Sequence, residues 1–101
     1  MSYTVRLLAN AQRDLADIEA YYDEHVPQET DRCLDSIEAA LDWIAEYAHQ
    51  PTASRFGLRH VSTETFRYYL WYRLFEVERF VQVVAVLHHR SGDDALTERV
   101  P

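Results

Sequence analysis

The stretch "VVAVLHHRSGDD" ends a run of apolar residues on His88, His89 and Arg90. A histidine near its ordinary pKa can pass protons, and arginines can hold a phosphate. His88 with Arg67 and Arg73 would therefore outline a site for cleaving RNA by internal attack of the 2′-hydroxyl. The same residue types fit a second use. Tyr69, Trp71, Arg67 and Arg73, followed by His88 and Arg90, are the kinds of side chain that anchor a protein partner. A metal site is not expected. Neighbours on a strand point to opposite faces, so His88 and His89 cannot easily share an ion. His25, His49 and His60 are scattered, and no HxH, HExxH or CxxC spacing occurs.

Other chemistries have less support. Cys33 lies in an acidic helical segment, which raises a thiol's pKa, and it reads as a small core residue. Two glycines leave no phosphate-cradling loop, and no cofactor is expected. The chain has 101 residues, ten arginines, no lysine and seventeen acids, for a formal net charge of −7. Residues 1–46 carry −8 and residues 47–101 carry +1. Proteins that grip many phosphates usually supply many cations. Direct nucleic-acid binding is therefore not expected, and partner binding is preferred over RNA cleavage.

The length suits one domain. The longest apolar run spans only residues 83–87, too short for a membrane span, and the N-terminus does not read as a signal peptide. One cysteine fits a reducing compartment, so a cytoplasmic location is expected.

Candidate residues need elements to hold them. "YTVRLL" predicts a strand over 3–8, with Asn10 as N-cap of a helix carrying Ala11, Leu15, Ile18 and Tyr22 on one face. Pro27 ends that helix near His25. Leu34, Ile37, Leu41, Ile44 and Ala48 mark a second helix, stopped by Pro51. After Arg55 the period shortens toward two. "RFGLRHV" predicts a strand with Gly57 as a bulge, "FRYYLWYRLF" a second and "RFVQVVAVLHH" a third.

The expected class is α+β, in the order β-α-α-β-β-β, with a helical hairpin packed on one face of a small, largely antiparallel sheet. Phe66, Tyr68, Leu70 and Tyr72 with Val81, Val83, Ala85 and Leu87 should meet the helices. Tyr69, Trp71, Arg67, Arg73, Gln82 and His88 should share the open face, with His89 pointing away from them. Residues 91–101 read as a flexible polar tail.

Several stretches in this order resemble the ParE/RelE superfamily of bacterial toxins from type II toxin–antitoxin systems. They are "YTVRLLANAQRDLADIEAYY", a second helix ending in "YAHQP", the arginine-containing "RFGLRHV", "FRYYLWYRL" and the ending "VVAVLHHR". The resemblance covers residues 3–90, and the ParE branch is the better match through its long hairpin and "VLHHR" ending. It implies a plasmid-stabilisation toxin that inhibits DNA gyrase, forms a hetero-oligomer with a cognate antitoxin and is neutralised by it. The antitoxin segment would lie along the hairpin and the open sheet face, on Arg67, Tyr69, Trp71, Arg73, His88 and Arg90. The RelE branch instead implies ribosome-dependent mRNA cleavage by Arg67, Arg73 and His88. A member that has lost toxicity and only binds a partner is the third alternative.

Overall fold

The computed structural model describes residues 2–99. Its elements are β1 (Thr4–Leu7), α1 (Ala9–His25), α2 (Thr30–Tyr47), β2 (Arg59–Ser62), β3 (Tyr68–Phe75), β4 (Phe80–His88) and α3 (Asp93–Thr97). A short 3-10 turn at Pro27–Glu29 joins the two long helices. The strands form one mixed sheet in the order β1-β4-β3-β2. β1 runs parallel to β4, and the other pairings are antiparallel.

The helical hairpin covers one sheet face, as its periodicity predicts. Ala11 and Ile18 of α1, with Cys33, Ile37, Ala40 and Ile44 of α2, pack against Tyr68, Leu70, Tyr72, Val81, Val83 and Val86. Leu34 and Leu41 are only half-buried and flank the stripe of α2, whose buried residues are Cys33, Ile37, Ala40 and Ile44. Two hydrogen bonds pin α2 to the sheet. Tyr3 N–H donates to the Ala45 carbonyl at 2.7 Å, and the Tyr72 hydroxyl donates to the Ala48 carbonyl at 2.7 Å. The second satisfies a carbonyl that a helix end would otherwise leave without a partner. Burial pushes the Tyr72 phenol up to about 12, so it stays a donor.

Several local expectations are corrected. α1 starts at Ala9 with Leu8 as its N-cap, so Asn10 lies inside the first turn. Residues Arg55–Gly57 form a 3-10 turn rather than a strand, and Gly57 at φ 72 ends that turn instead of bulging a ladder. Asp14 lies off the apolar stripe of Ala11, Leu15, Ile18 and Tyr22 and is nevertheless buried.

The largest correction concerns β4. Trp71 pairs with Ala85 and Tyr72 with Val83, so Val84 is an extra residue without a directly opposed partner. Such a bulge places two successive side chains on one side and inverts the alternation beyond it. Val84 and Ala85 both enter a second apolar cluster, while Val86 joins the first. Ala85 and Leu87, expected under the helices, thus lie on the other face. His88 lies on the helix side and His89 on the opposite one.

That opposite face is not open. Leu96 of α3 and Leu58 are buried there against Trp71, Val84 and Ala85. Residues 91–99, expected within a loose tail, therefore include a helix that docks on the sheet.

Candidate functional site

β2 and β3 set the register of the second face. His60 lies opposite Trp71, and Ser62 lies opposite Tyr69. Beyond the β4 bulge, His89 falls beside them. The His89 and Tyr69 rings stack with centroids 3.9 Å apart and 23° between planes. The His60 ring lies 4.8 Å from Tyr69 and 4.4 Å from Trp71. Ser62 Oγ is 3.0 Å from His89 Nε2. His60, Tyr69, Trp71 and His89 line a cleft of about 270 Å³, with Arg55, His88 and Leu96 also in its wall, and Ser62 stands just outside it.

The cleft's electrostatics follow from partial burial. Burial, then the neighbouring His89, pushes the His60 imidazole below its ordinary range. His60 Nδ1 is buried and has no hydrogen-bond partner among the described residues. The Ser62–His89 contact resembles the nucleophile–base contact that activates a hydroxyl, although a third orienting group is required for that logic. No metal-ligating group of three or more His, Cys, Asp or Glu side chains occurs among the described residues.

The six expected anchors do not form one surface. Tyr69 is half-buried in the cleft, and Trp71 is only 8% exposed beneath it. His88 sits on the helix side, with its ring edge-on to Tyr68 at 5.3 Å. Its Nδ1 accepts the Arg90 N–H at 3.1 Å. Burial first, then Arg90, His89 and Arg67, lowers the His88 pKa, so the ring is neutral at pH 7. Arg67 is exposed in the β2–β3 turn at φ 59, and its carbonyl accepts the His89 N–H at 2.8 Å. Arg90 is exposed just past β4.

Arg73 lies far from this end of the sheet. It pairs with Gln82, whereas His88 pairs with Tyr68. Five residues along β3 separate Arg73 from Tyr68, which at strand rise is about 17 Å. The structure therefore brings Arg67, His88 and Arg90 together and leaves Arg73 elsewhere. The proposed RNA-cleaving trio of His88, Arg67 and Arg73 is not assembled. His60, Ser62 and His89 were not expected at a common site. The β2 register carries that signal, since alternation from Arg59 puts His60 and Ser62 on one face.

The site is thus carried by a hairpin on a mixed four-stranded sheet, with the short helix α3 behind it. Residues 5–92 match the family model described as the ParE toxin of the type II toxin–antitoxin system, parDE. The chain belongs to the ParE toxin family. No curated protein matches its sequence significantly. Among solved structures it is similar to a chain of the chromosomal ParDE system from P. aeruginosa, at TM-score 0.74 and 16% identity. That match covers 86% of this chain and 96% of the other. A chain of the RelBE2 toxin–antitoxin complex from Mycobacterium tuberculosis matches at TM-score 0.56 and 22% identity, covering 88% and 100%. A double mutant of the E. coli toxin RelE in the free state matches at TM-score 0.61 and 12% identity, covering all of both chains. At these identities the structural matches establish the shared fold. The ParE assignment rests on the family model.

Proposed function

We propose that this ParE-family chain is the toxin of a type II pair, that it acts by binding and inhibiting DNA gyrase, and that a cognate antitoxin neutralises it. The family match over residues 5–92 carries this reading. The charge of −7 and the absence of lysine also support a protein target over direct contact with many phosphates. Among the expected antitoxin anchors, Arg67 and Arg90 are exposed and flank His88, so they form the accessible part of that set. Tyr69 contributes from the cleft, whereas Trp71 acts from beneath it as support.

Purified toxin added to a gyrase supercoiling reaction tests this function. The expected result is inhibition that rises with toxin and is relieved by its antitoxin. Undiminished supercoiling at a large molar excess of folded toxin would refute it.

One observation favours the second reading, ribosome-dependent mRNA cleavage. His60, Tyr69 and His89 share one cleft and Ser62 Oγ reaches His89 Nε2 from its edge, and these groups would replace the unassembled His88–Arg67–Arg73 group. Cleavage that disappears in His89→Ala but persists in Arg73→Ala would favour that reading.

A further inference from the structure

The sheet face opposite the hairpin has a second end, at the turn between β3 and β4. Leu96 of α3 packs on Trp71, Val84 and Ala85, whereas Phe75 and Phe80 belong to neither buried cluster. These two rings stack with centroids 5.6 Å apart and 20° between planes. Each is half-buried, and Val77 in the turn beyond them is 93% exposed. Together they leave a small apolar patch at the surface.

Two arginines stand beside this patch. Arg6 pairs with Gln82, and Gln82 pairs with Arg73, so the three form one row across β1, β4 and β3. Val5, Tyr72, Leu74, Val81 and Val83 pack toward the hairpin, so alternation puts that row on the opposite face. Neighbouring strands lie about 4.8 Å apart, which sets the two arginine backbones about 10 Å from each other. The Arg6 guanidinium rests over the Phe80 ring at 5.6 Å. Among the described residues neither Arg6 nor Arg73 has a carboxylate partner. Arg79, the other cation nearby, is held over the Tyr3 ring at 4.2 Å.

Charge selects the occupant. Two guanidiniums without a counter-charge leave a positive spot on a chain of net charge −7. Their planar forks fit carboxylates, and the acidic remainder of the molecule disfavours a phosphate backbone. The acidic hairpin of a second copy has the right sign. That head-to-tail contact would not close, however, and it would bring two strongly acidic chains together. Glu76 and Glu78 are exposed beside Val77, so carboxylates of a partner meet the arginine row and not the turn.

We propose that this end of the sheet is the surface through which the toxin contacts gyrase, and that the contacted gyrase surface presents carboxylates beside an apolar pocket. The carboxylates pair with Arg6 and Arg73. The pocket takes Val77 and the exposed edges of Phe75 and Phe80. This assignment rests on the reading that gyrase is the target. The patch lies at the other end of β3 and β4 from Arg67, His88 and Arg90.

Binding of the full chain to immobilised gyrase holoenzyme, measured beside supercoiling inhibition, tests the proposal. Arg6→Glu and Arg73→Glu should each weaken binding by about tenfold or more, with inhibition reduced to match. Val77→Ser should weaken it by about fivefold or more. Arg13→Glu, the same charge change on the exposed surface of α1, should leave it unaltered. Wild-type affinity should fall with added salt. Arg6 and Val77 are exposed, so their variants decide the matter should Arg73→Glu fail to fold. Undiminished binding by folded Arg6→Glu or Val77→Ser, or an equal loss in Arg13→Glu, would overturn this contact surface and leave gyrase as the target. No binding by the wild type would overturn both. Wild-type binding to duplex DNA without gyrase, lost in Arg6→Glu, would assign the patch to nucleic acid and overturn the proposal.

Discussion

Asp14 holds a carboxylate among apolar side chains, and three N–H groups keep it there. Arg99 donates two hydrogen bonds to it at 2.6 and 2.8 Å, and Val86 N–H donates one at 2.9 Å. Val86 needs that acceptor because β1 stops pairing with β4 at Val83, leaving the strand edge beyond it bare. Asp14→Ala would orphan both a buried peptide N–H and a guanidinium. It should lower unfolding free energy by about 2–4 kcal/mol in urea denaturation. An unchanged midpoint would contradict this account of Asp14. A second residue-scale prediction concerns pH. The native pKa values of His60 and His88 lie below the ordinary histidine value of about 6.5. The unfolded chain therefore binds more protons, and their contribution to stability is complete above that value. It is lost as pH falls through about 6.5 toward the lower native values. His60→Phe should flatten this slope in urea titrations at several pH values. An identical slope in the variant would show that His60 contributes nothing to it.

At the scale of elements, the β4 bulge decides which chemistry shares a face. Deleting Val84 would leave Val83 opposite Tyr72 and Ala85 opposite Trp71, so Val86 and His88 would keep their faces. The expected outcome is a variant that still unfolds cooperatively on heating, at a lower midpoint because a buried valine is lost, and loss of the cooperative transition would contradict the assigned role of the bulge. Trp71→Ala should likewise cost about 3–5 kcal/mol, as removal of a buried ring does. A variant of near-native stability would show that Trp71 supports the fold less than its burial implies. The hairpin was legible in the sequence because helical periodicity is local: Ile37 and Ile44 reveal their face without knowledge of the sheet. The bulge was not legible. Val84 sits inside an unbroken apolar run with no glycine or proline to mark an irregularity. α3 was hidden for another reason, since only Ala95 and Leu96 are apolar in five residues and Leu96 gains its meaning from Trp71 and Leu58. Asp14 was equally opaque, because its partners lie 72 and 85 residues away. The candidate cleft was only partly visible. Tyr69 was recognised, but assigning His89 to its side required the bulge, and adding His60 required the β2 register.

Across the whole molecule, the charge division has a structural counterpart. The acidic half contains the helical hairpin, and the nearly neutral half supplies three of the four strands and α3. The protein thus presents an acidic helical side and a mixed aromatic, histidine and arginine side. No described helix is long and apolar enough to cross a membrane. On the proposed reading, a toxin working through protein contacts, the cleft of His60, Tyr69 and His89 would be a rim feature rather than a reaction centre. The most direct test assays gyrase supercoiling and ribosome-bound mRNA cleavage in parallel with wild-type protein and His89→Ala. The account predicts supercoiling inhibition by both proteins and no mRNA cleavage by either. Codon-specific mRNA cleavage by the wild type, lost in the folded His89→Ala variant, would contradict it.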